Sequence, residues 1–194
     1  VFVVAIEMET MTLIKLFSSG LLLAPAIWFF LKDYQKSRLL TLFNPELDPL
    51  GAGYHSIQSK IAIGSGGFWG KGLLAGTQSR LNFLPEKHTD FIFSVFAEET
   101  GFLGVAVLLS LFLFVILKGL NIAFRARDRF GFFLALGLIS SIAFYIIFNV
   151  GMTIGLFPIT GIPLPLLSYG GSSLITNFFA IGLLLNVEMR RTIH

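Results

Sequence analysis

Asp90 is the residue of this chain best placed for proton chemistry. It follows His88 and Thr89 and directly precedes the apolar stretch Phe91–Ala97, at the edge of a membrane-type helix. A carboxylate there is partly withdrawn from water, which favours proton uptake near neutral pH, as a general base requires. The alternative is a helix N-cap, where Asp is a preferred residue and the positive end of the dipole favours an anion. Both roles are compatible. Lys60, Lys71, Arg80 and Lys87 suggest a second chemistry, a basic rim for an anionic lipid headgroup or a pyrophosphate. Solvated loop charges are the alternative, because exposed charges usually contribute little. Glu98 and Glu99 are expected to close the polar segment at the membrane surface, although paired carboxylates can also hold a cation.

Other motifs exclude more than they suggest. The glycine-rich Gly64–Gly76 (GSGGFWGKGLLAG) has Ser65 where a Walker A loop needs its first Gly, and Gly72 where it needs Ser or Thr. Gly70–Ala75 fits G-x-G-x-x-A, but neither a preceding strand nor a βαβ unit accompanies it. Close backbone packing against membrane helices is the simpler use of these glycines. Gly72 and Gly76 also form a small-xxx-small pair, a helix-contact pattern. His55 and His88 lack a third ligand at recognisable spacing. No Ser-His-Asp order or nucleophile elbow occurs. With no Cys, disulfides, thiolate metal sites and cysteine nucleophiles are excluded together. Asn149 and Asn177 lie within apolar runs and are expected to bond between helices rather than touch a substrate.

The elements that must position Asp90 are membrane helices. Of the 194 residues, 55% are hydrophobic and 13% charged, and the mean hydropathy is +0.82; soluble domains carry about 25% charged residues. A net charge of +3 gives no nucleic-acid footprint, so the location of each charge matters more than the total. Charge-free runs cover Leu16–Leu31, Thr100–Leu117 and Phe130–Val187. A span needs roughly 20 residues to cross about 30 Å of hydrocarbon, so the first run crosses only if Lys15 and Lys32 snorkel. The last run is broken at Gly151–Ser172 by Pro158, Pro163 and Pro165 with five glycines. Helices are therefore expected over about 100–117, 131–150 and 173–187, with a loop or re-entrant segment between the last two. Irregular backbone at membrane depth survives only against protein or water, so that segment should face a cavity.

Short basic segments orient the chain. Lys118, Arg125, Arg127 and Arg129 oppose Asp128 alone, and Arg190 and Arg191 oppose Glu188. Both segments read as cytoplasmic, which leaves 32–99 outside. Val1–Ile6 resembles the end of an apolar helix already under way, and the chain reads as the C-terminal part of a larger membrane protein. The expected organisation is a membrane helix region over 1–31, an extracytoplasmic loop with the catalytic motif over 32–99, and membrane helices with a cytoplasmic tail over 100–194.

Three long stretches then carry a family resemblance: Gly53–Gly67 (GYHSIQSKIAIGSGG), Phe83–Gly104 (FLPEKHTDFIFSVFAEETGFLG) and Asn149–Ser173 (NVGMTIGLFPITGIPLPLLSYGGSS). In this order they resemble the SEDS proteins of shape, elongation, division and sporulation. The segment Pro158–Pro165 is closer to the rod-shape branch than to the division branch. The resemblance runs from about Leu31 to Arg191. It implies an all-α integral membrane protein, the C-terminal part of a roughly ten-span bundle with a large outer loop. It also implies a peptidoglycan glycosyltransferase that polymerises lipid II on the outer face of the bacterial cytoplasmic membrane. The family's essential acid falls on Asp90, in an inverting displacement that needs a base for the acceptor hydroxyl but no covalent nucleophile. Candidate substrate contacts are Lys60, Lys71, Arg80, Glu86, Lys87 and His88, with Ser168, Tyr169 and Ser172 lining the same cavity. A divalent cation, Mg or Mn, is a candidate aid to the pyrophosphate. The implied partners are a class B penicillin-binding protein, lipid II and membrane lipid, with no nucleic acid.

The competing function is a transporter that flips lipid II, since transporters also bind anions at broken helices. A third is a scaffold for the penicillin-binding protein.

Overall fold

The computed structural model describes residues 11–12, 14–15, 18–20, 28–48, 51–76 and 88–192. The described residues are helical, with no strand among them. Among the described residues five helices are delimited: α1 Asp33–Phe43, α2 Ala52–Ser65, α3 Ile92–Phe124, α4 Arg129–Ile154 and α5 Gly171–Thr192, with a 3-10 turn at Pro45–Leu47 after α1. Three are long and apolar enough to cross a membrane: Ile92–Phe124, Arg129–Ile154 and Gly171–Arg190. They extend beyond the apolar runs at both ends. The expected loop between α4 and α5 is present as irregular backbone over 155–170. The first charge-free run lies mostly outside the described residues.

The segment expected as a polar loop contains α1, α2 and the first turns of α3. The short helix α1 is amphipathic only weakly; its Lys32 N–H donates to Gln35 Oε1 at 3.0 Å, tying the first turn. In α2 the small residues Gly53, Ser56, Ser59 and Ala62 recur at helical spacing and are all buried. That stripe lets α2 lie close against α3 and α4. Phe93, Phe112, Ile142, Ile146, Leu164 and Ala180 form the main core, drawing on α3, α4, α5 and the 155–170 loop. A second core of Ala123, Ala135, Leu136, Leu184 and Val187 closes the other end of the long helices.

Helix α3 is broken at Gly101, where φ is 66° and ψ is −165°. A break in a helix orphans backbone donors and acceptors, which must find other partners. The glycine-rich segment supplies them. Gly67 O accepts from Phe102 N–H at 2.9 Å and Phe68 O from Leu103 N–H at 3.2 Å, while Lys71 and Gly72 donate to Glu98 O and Glu99 O, each at 3.0 Å. Four bonds thus cross the break. A Cβ on Gly66, Gly70 or Gly101 would strike backbone atoms of the opposing strand of chain. The glycines serve close backbone packing, and nothing about them resembles a phosphate cradle. Gly72 and Gly76 lie outside any helix, so their spacing is not a helix-contact motif.

Candidate functional site

Asp90 lies within the turn over 88–91 that leads into α3, and the N-cap of that helix is Phe91 rather than Asp90. Its position is set by a set of contacts to the far half of the chain. The carbonyls of three consecutive residues are taken up: His88 O by Tyr169 N–H at 2.8 Å, Thr89 O by Ser168 Oγ at 2.6 Å, and Asp90 O by Asn149 Nδ2 at 3.0 Å. Ser168 Oγ also accepts from Leu164 N–H at 2.7 Å, which folds the loop back upon itself. The loop is thus fastened along the peptide chain of 88–90. Each bond is short and local entropy is already lost, so the turn has little freedom left.

The carboxylate faces the same loop. A Cβ built on Gly161, whose φ is +74°, would lie 3.1 Å from Asp90 Oδ2. Gly161 therefore lets loop backbone approach the carboxylate as no side-chain-bearing residue would, and its left-handed conformation favours glycine as well. Asp90 itself is half-buried. Beside it, an open, mainly apolar cavity of about 480 Å³ is lined by His88, Ile92, Ser168, Tyr169, Gly170 and Leu174 among others. A second, more polar one of about 220 Å³ lies between α4 and α5, with Tyr145, Ser172, Ser173 and Asn177 on its wall. Asp90 adjoins the first through His88 and Ser168 without lining either.

The other sequence candidates separate in space. Ser168 is buried and engaged with backbone, Tyr169 is exposed over the larger cavity with His88, and Ser172 belongs to the smaller one. Lys60 is exposed on α2 and lies over the C-terminal turn of α4, where a Cβ on Gly155 would collide with its Cε and Nζ. A cation at the carbonyl end of a helix complements its dipole. Lys71 Nζ bonds Glu98 Oε1 at 2.8 Å, so its charge is committed to a helix carboxylate. Arg80, Glu86 and Lys87 lie outside the described residues.

Glu98 differs from the sequence expectation. It is 0% exposed, not at a surface, and it lies in α3 with Lys71 on one oxygen and Ser65 Oγ 3.5 Å from the same atom. Its buried charge is compensated by a lysine 27 residues away in sequence. Removing one partner of a buried pair costs more than replacing both. Glu98→Ala in the full-length protein should cost about 2–3 kcal/mol, less than a wholly buried pair because Lys71 retains water contact. The Glu98→Leu, Lys71→Met double variant should recover part of that loss in the detergent melting midpoint. A double variant no more stable than Glu98→Ala would refute the pairing argument.

His55 on α2 is half-buried beside Phe91, ring centroids 6.2 Å apart. Burial holds its pKa below 6.5, partly offset by Asp48. Among the described residues no three His, Asp or Glu side chains come together as a metal site would require. Two structural features of the site were not apparent from residue spacing: Asn149, which reaches across 59 positions to Asp90, and Gly161, which faces its carboxylate. A lone amide in an apolar span was the only signal for the first.

Comparison with known proteins places these motifs in context. The FtsW/RodA/SpoVE model, described as cell cycle protein, matches residues 1–193. Peptidoglycan glycosyltransferase MrdB of Escherichia coli K12 is 54% identical over 168 residues, covering 86% of this chain and 45% of that protein. Peptidoglycan glycosyltransferase RodA of Treponema pallidum is 52% identical over 161 residues, covering 83% of this chain and 37% of its own length. The chain spans about half the length of the curated relatives it matches, or less. Among solved structures, a chain from work on structural coordination of polymerization and crosslinking by a peptidoglycan synthase complex aligns at TM-score 0.73 and 34% identity. That alignment covers 94% of this chain and 49% of the other. An aspartate-to-alanine mutant of Thermus thermophilus rod shape determining protein RodA aligns at 0.53 and 28%, covering 84% and 58%.

Proposed function

Because the chain belongs to the FtsW/RodA/SpoVE family of cell cycle proteins, we propose that it is the C-terminal part of a peptidoglycan glycosyltransferase that polymerises lipid II during cell elongation, with Asp90 as general base. One observation carries the reading: a half-buried carboxylate at the head of an apolar helix, facing Gly161, on a turn whose main-chain carbonyls are held by the Asn149 and Ser168 side chains beside an open cavity. In the reaction the acceptor hydroxyl oxygen attacks the anomeric carbon while the bond to the lipid pyrophosphate breaks. Asp90 accepts the hydroxyl proton, the electron pair of the broken bond leaves on the pyrophosphate, and the anomeric configuration inverts. No covalent intermediate with protein is required.

Basic residues at the opposite end of α3 support an outer location for Asp90. Arg125, Arg127 and Arg129 follow Phe124, about 35 Å of helix beyond the break at Gly101, and a short basic turn of this kind favours the cytoplasmic side. The turn at Asp90 then faces outward, where lipid II is presented. Lys60, Arg80, Glu86, Lys87, His88, Tyr169 and Ser172 are proposed as substrate contacts. Lys71 and Ser168 are proposed to act from their structural bonds, through the loops they hold. A divalent cation enters this proposal only as a companion of the substrate pyrophosphate, and no step is drawn through it. A class B penicillin-binding protein is the proposed partner.

Full-length protein with that partner, given lipid II in detergent, should form glycan strands. No membrane separates two sides there, so a transporter would leave lipid II unchanged. Absence of polymer from every preparation that binds lipid II would overturn the enzyme reading in favour of transport.

A further inference from the structure

We propose that Asn149 is a positioning residue for Asp90, coupling the base to the 155–170 loop through a single buried amide. The inference rests on the reading of Asp90 as the base. Asn149 is 0% exposed in α4. Its Nδ2 donates to two carbonyls of different elements, Asp90 O at 3.0 Å and Ile162 O at 2.7 Å. Two carbonyl acceptors on one nitrogen fix the amide orientation, because the opposite orientation would place oxygen against oxygen. Its Oδ1 is buried without a hydrogen-bond partner among the described residues. A buried unsatisfied polar atom costs about 1–3 kcal/mol, which the two bonds to Asp90 O and Ile162 O must offset; an apolar residue here would leave both carbonyls without this donor.

Ile162 follows Gly161, whose backbone lies against the Asp90 carboxylate. Asn149 therefore holds both sides of one contact: the backbone that carries the carboxylate and the backbone that confronts it. Movement of either would change the distance from Asp90 to a substrate hydroxyl. A displacement near 1 Å costs about 100-fold in rate.

The test uses the full-length protein with its penicillin-binding partner and lipid II, reading kcat, KM and folded fraction for each variant. Asn149→Asp keeps the shape, Asn149→Leu keeps the branched skeleton with bulkier methyl groups, and both lose the double donor; Asn149→Gln keeps the amide on a longer arm. In folded protein the first two should lower kcat by about 10- to 100-fold with KM within about threefold. Asn149→Gln should restore at least a third of that loss on a logarithmic scale. Near-normal kcat in folded Asn149→Leu overturns the proposal. So does a fall in kcat that only tracks the folded fraction, or failure of every variant to fold, either of which makes Asn149 a folding residue. Asp90→Asn is run in parallel: if it polymerises as wild type does, the base assignment has failed instead, whatever Asn149 does.

Discussion

Replacing Asp90 by Asn in the full-length protein should reduce lipid II polymerisation by about 100- to 10,000-fold, the usual contribution of a positioned general base. The substitution is chosen because it preserves shape. The bond from Asn149 Nδ2 to the main-chain carbonyl at 90 does not involve the side chain, nor do those to His88 O and Thr89 O. An amide would still fit over Gly161, yet it cannot take the proton. With these main-chain bonds kept, the variant should still fold, while kcat falls and KM changes little. Asp90→Glu is a harsher positional test. One added methylene pushes the carboxylate towards Gly161, where a Cβ would already lie only 3.1 Å from Asp90 Oδ2, so proton affinity survives but placement does not. A loss of about 10- to 100-fold is expected there. If Asp90→Asn polymerises normally, another group is the base; if it unfolds, Asp90 is structural.

How far this site can be read from residue order depends on sequence distance. The long helices announce themselves, because Thr100–Leu117 and Phe130–Val187 contain no charge and hydrocarbon tolerates little else. The break over 155–170 follows from Pro158, Pro163 and Pro165 with their glycines, for proline removes a donor and clashes with the preceding turn. Asp90 stands out as an acid immediately before an apolar run. The rest requires contacts that spacing does not encode. Glu98 and Glu99 look like a surface boundary, since charge usually ends a span, and the contact of Lys71, reaching across 27 positions, offsets the burial of Glu98. The helices α1 and α2 have little apolar periodicity and are concealed within a polar segment. Asn149 has the appearance of any amide in a span until its partners on Asp90 and Ile162 are located. Thus local chemistry singles out Asp90, while the parts that hold its turn in place come from non-local packing.

The largest structural effect is expected at Gly101. Its φ of 66° with ψ of −165° lies in a region that is essentially glycine's alone, where another residue pays about 1–3 kcal/mol in strain. Space is closed as well: a Cβ would meet Gly70 N, Phe68 O and Trp69 C, all backbone and so unable to rotate aside. Gly101→Ala must either straighten α3 or push the glycine-rich segment away. Either movement breaks the bonds from Phe102 and Leu103 to Gly67 and Phe68, and from Lys71 and Gly72 to Glu98 and Glu99. Glu98 then loses its lysine within an apolar surrounding, a further penalty of several kcal/mol. A total loss above about 4 kcal/mol is expected, which is at the upper end for a single substitution. Folded full-length Gly101→Ala should be recovered poorly from the membrane and melt well below wild type. Gly137→Ala provides the contrast, since nothing lies within 4 Å of a Cβ there and alanine favours a helix by about 1 kcal/mol over glycine. Equal stability of the two variants would mean that the break in α3 is dispensable, and with it the fastening of the segment that precedes Asp90.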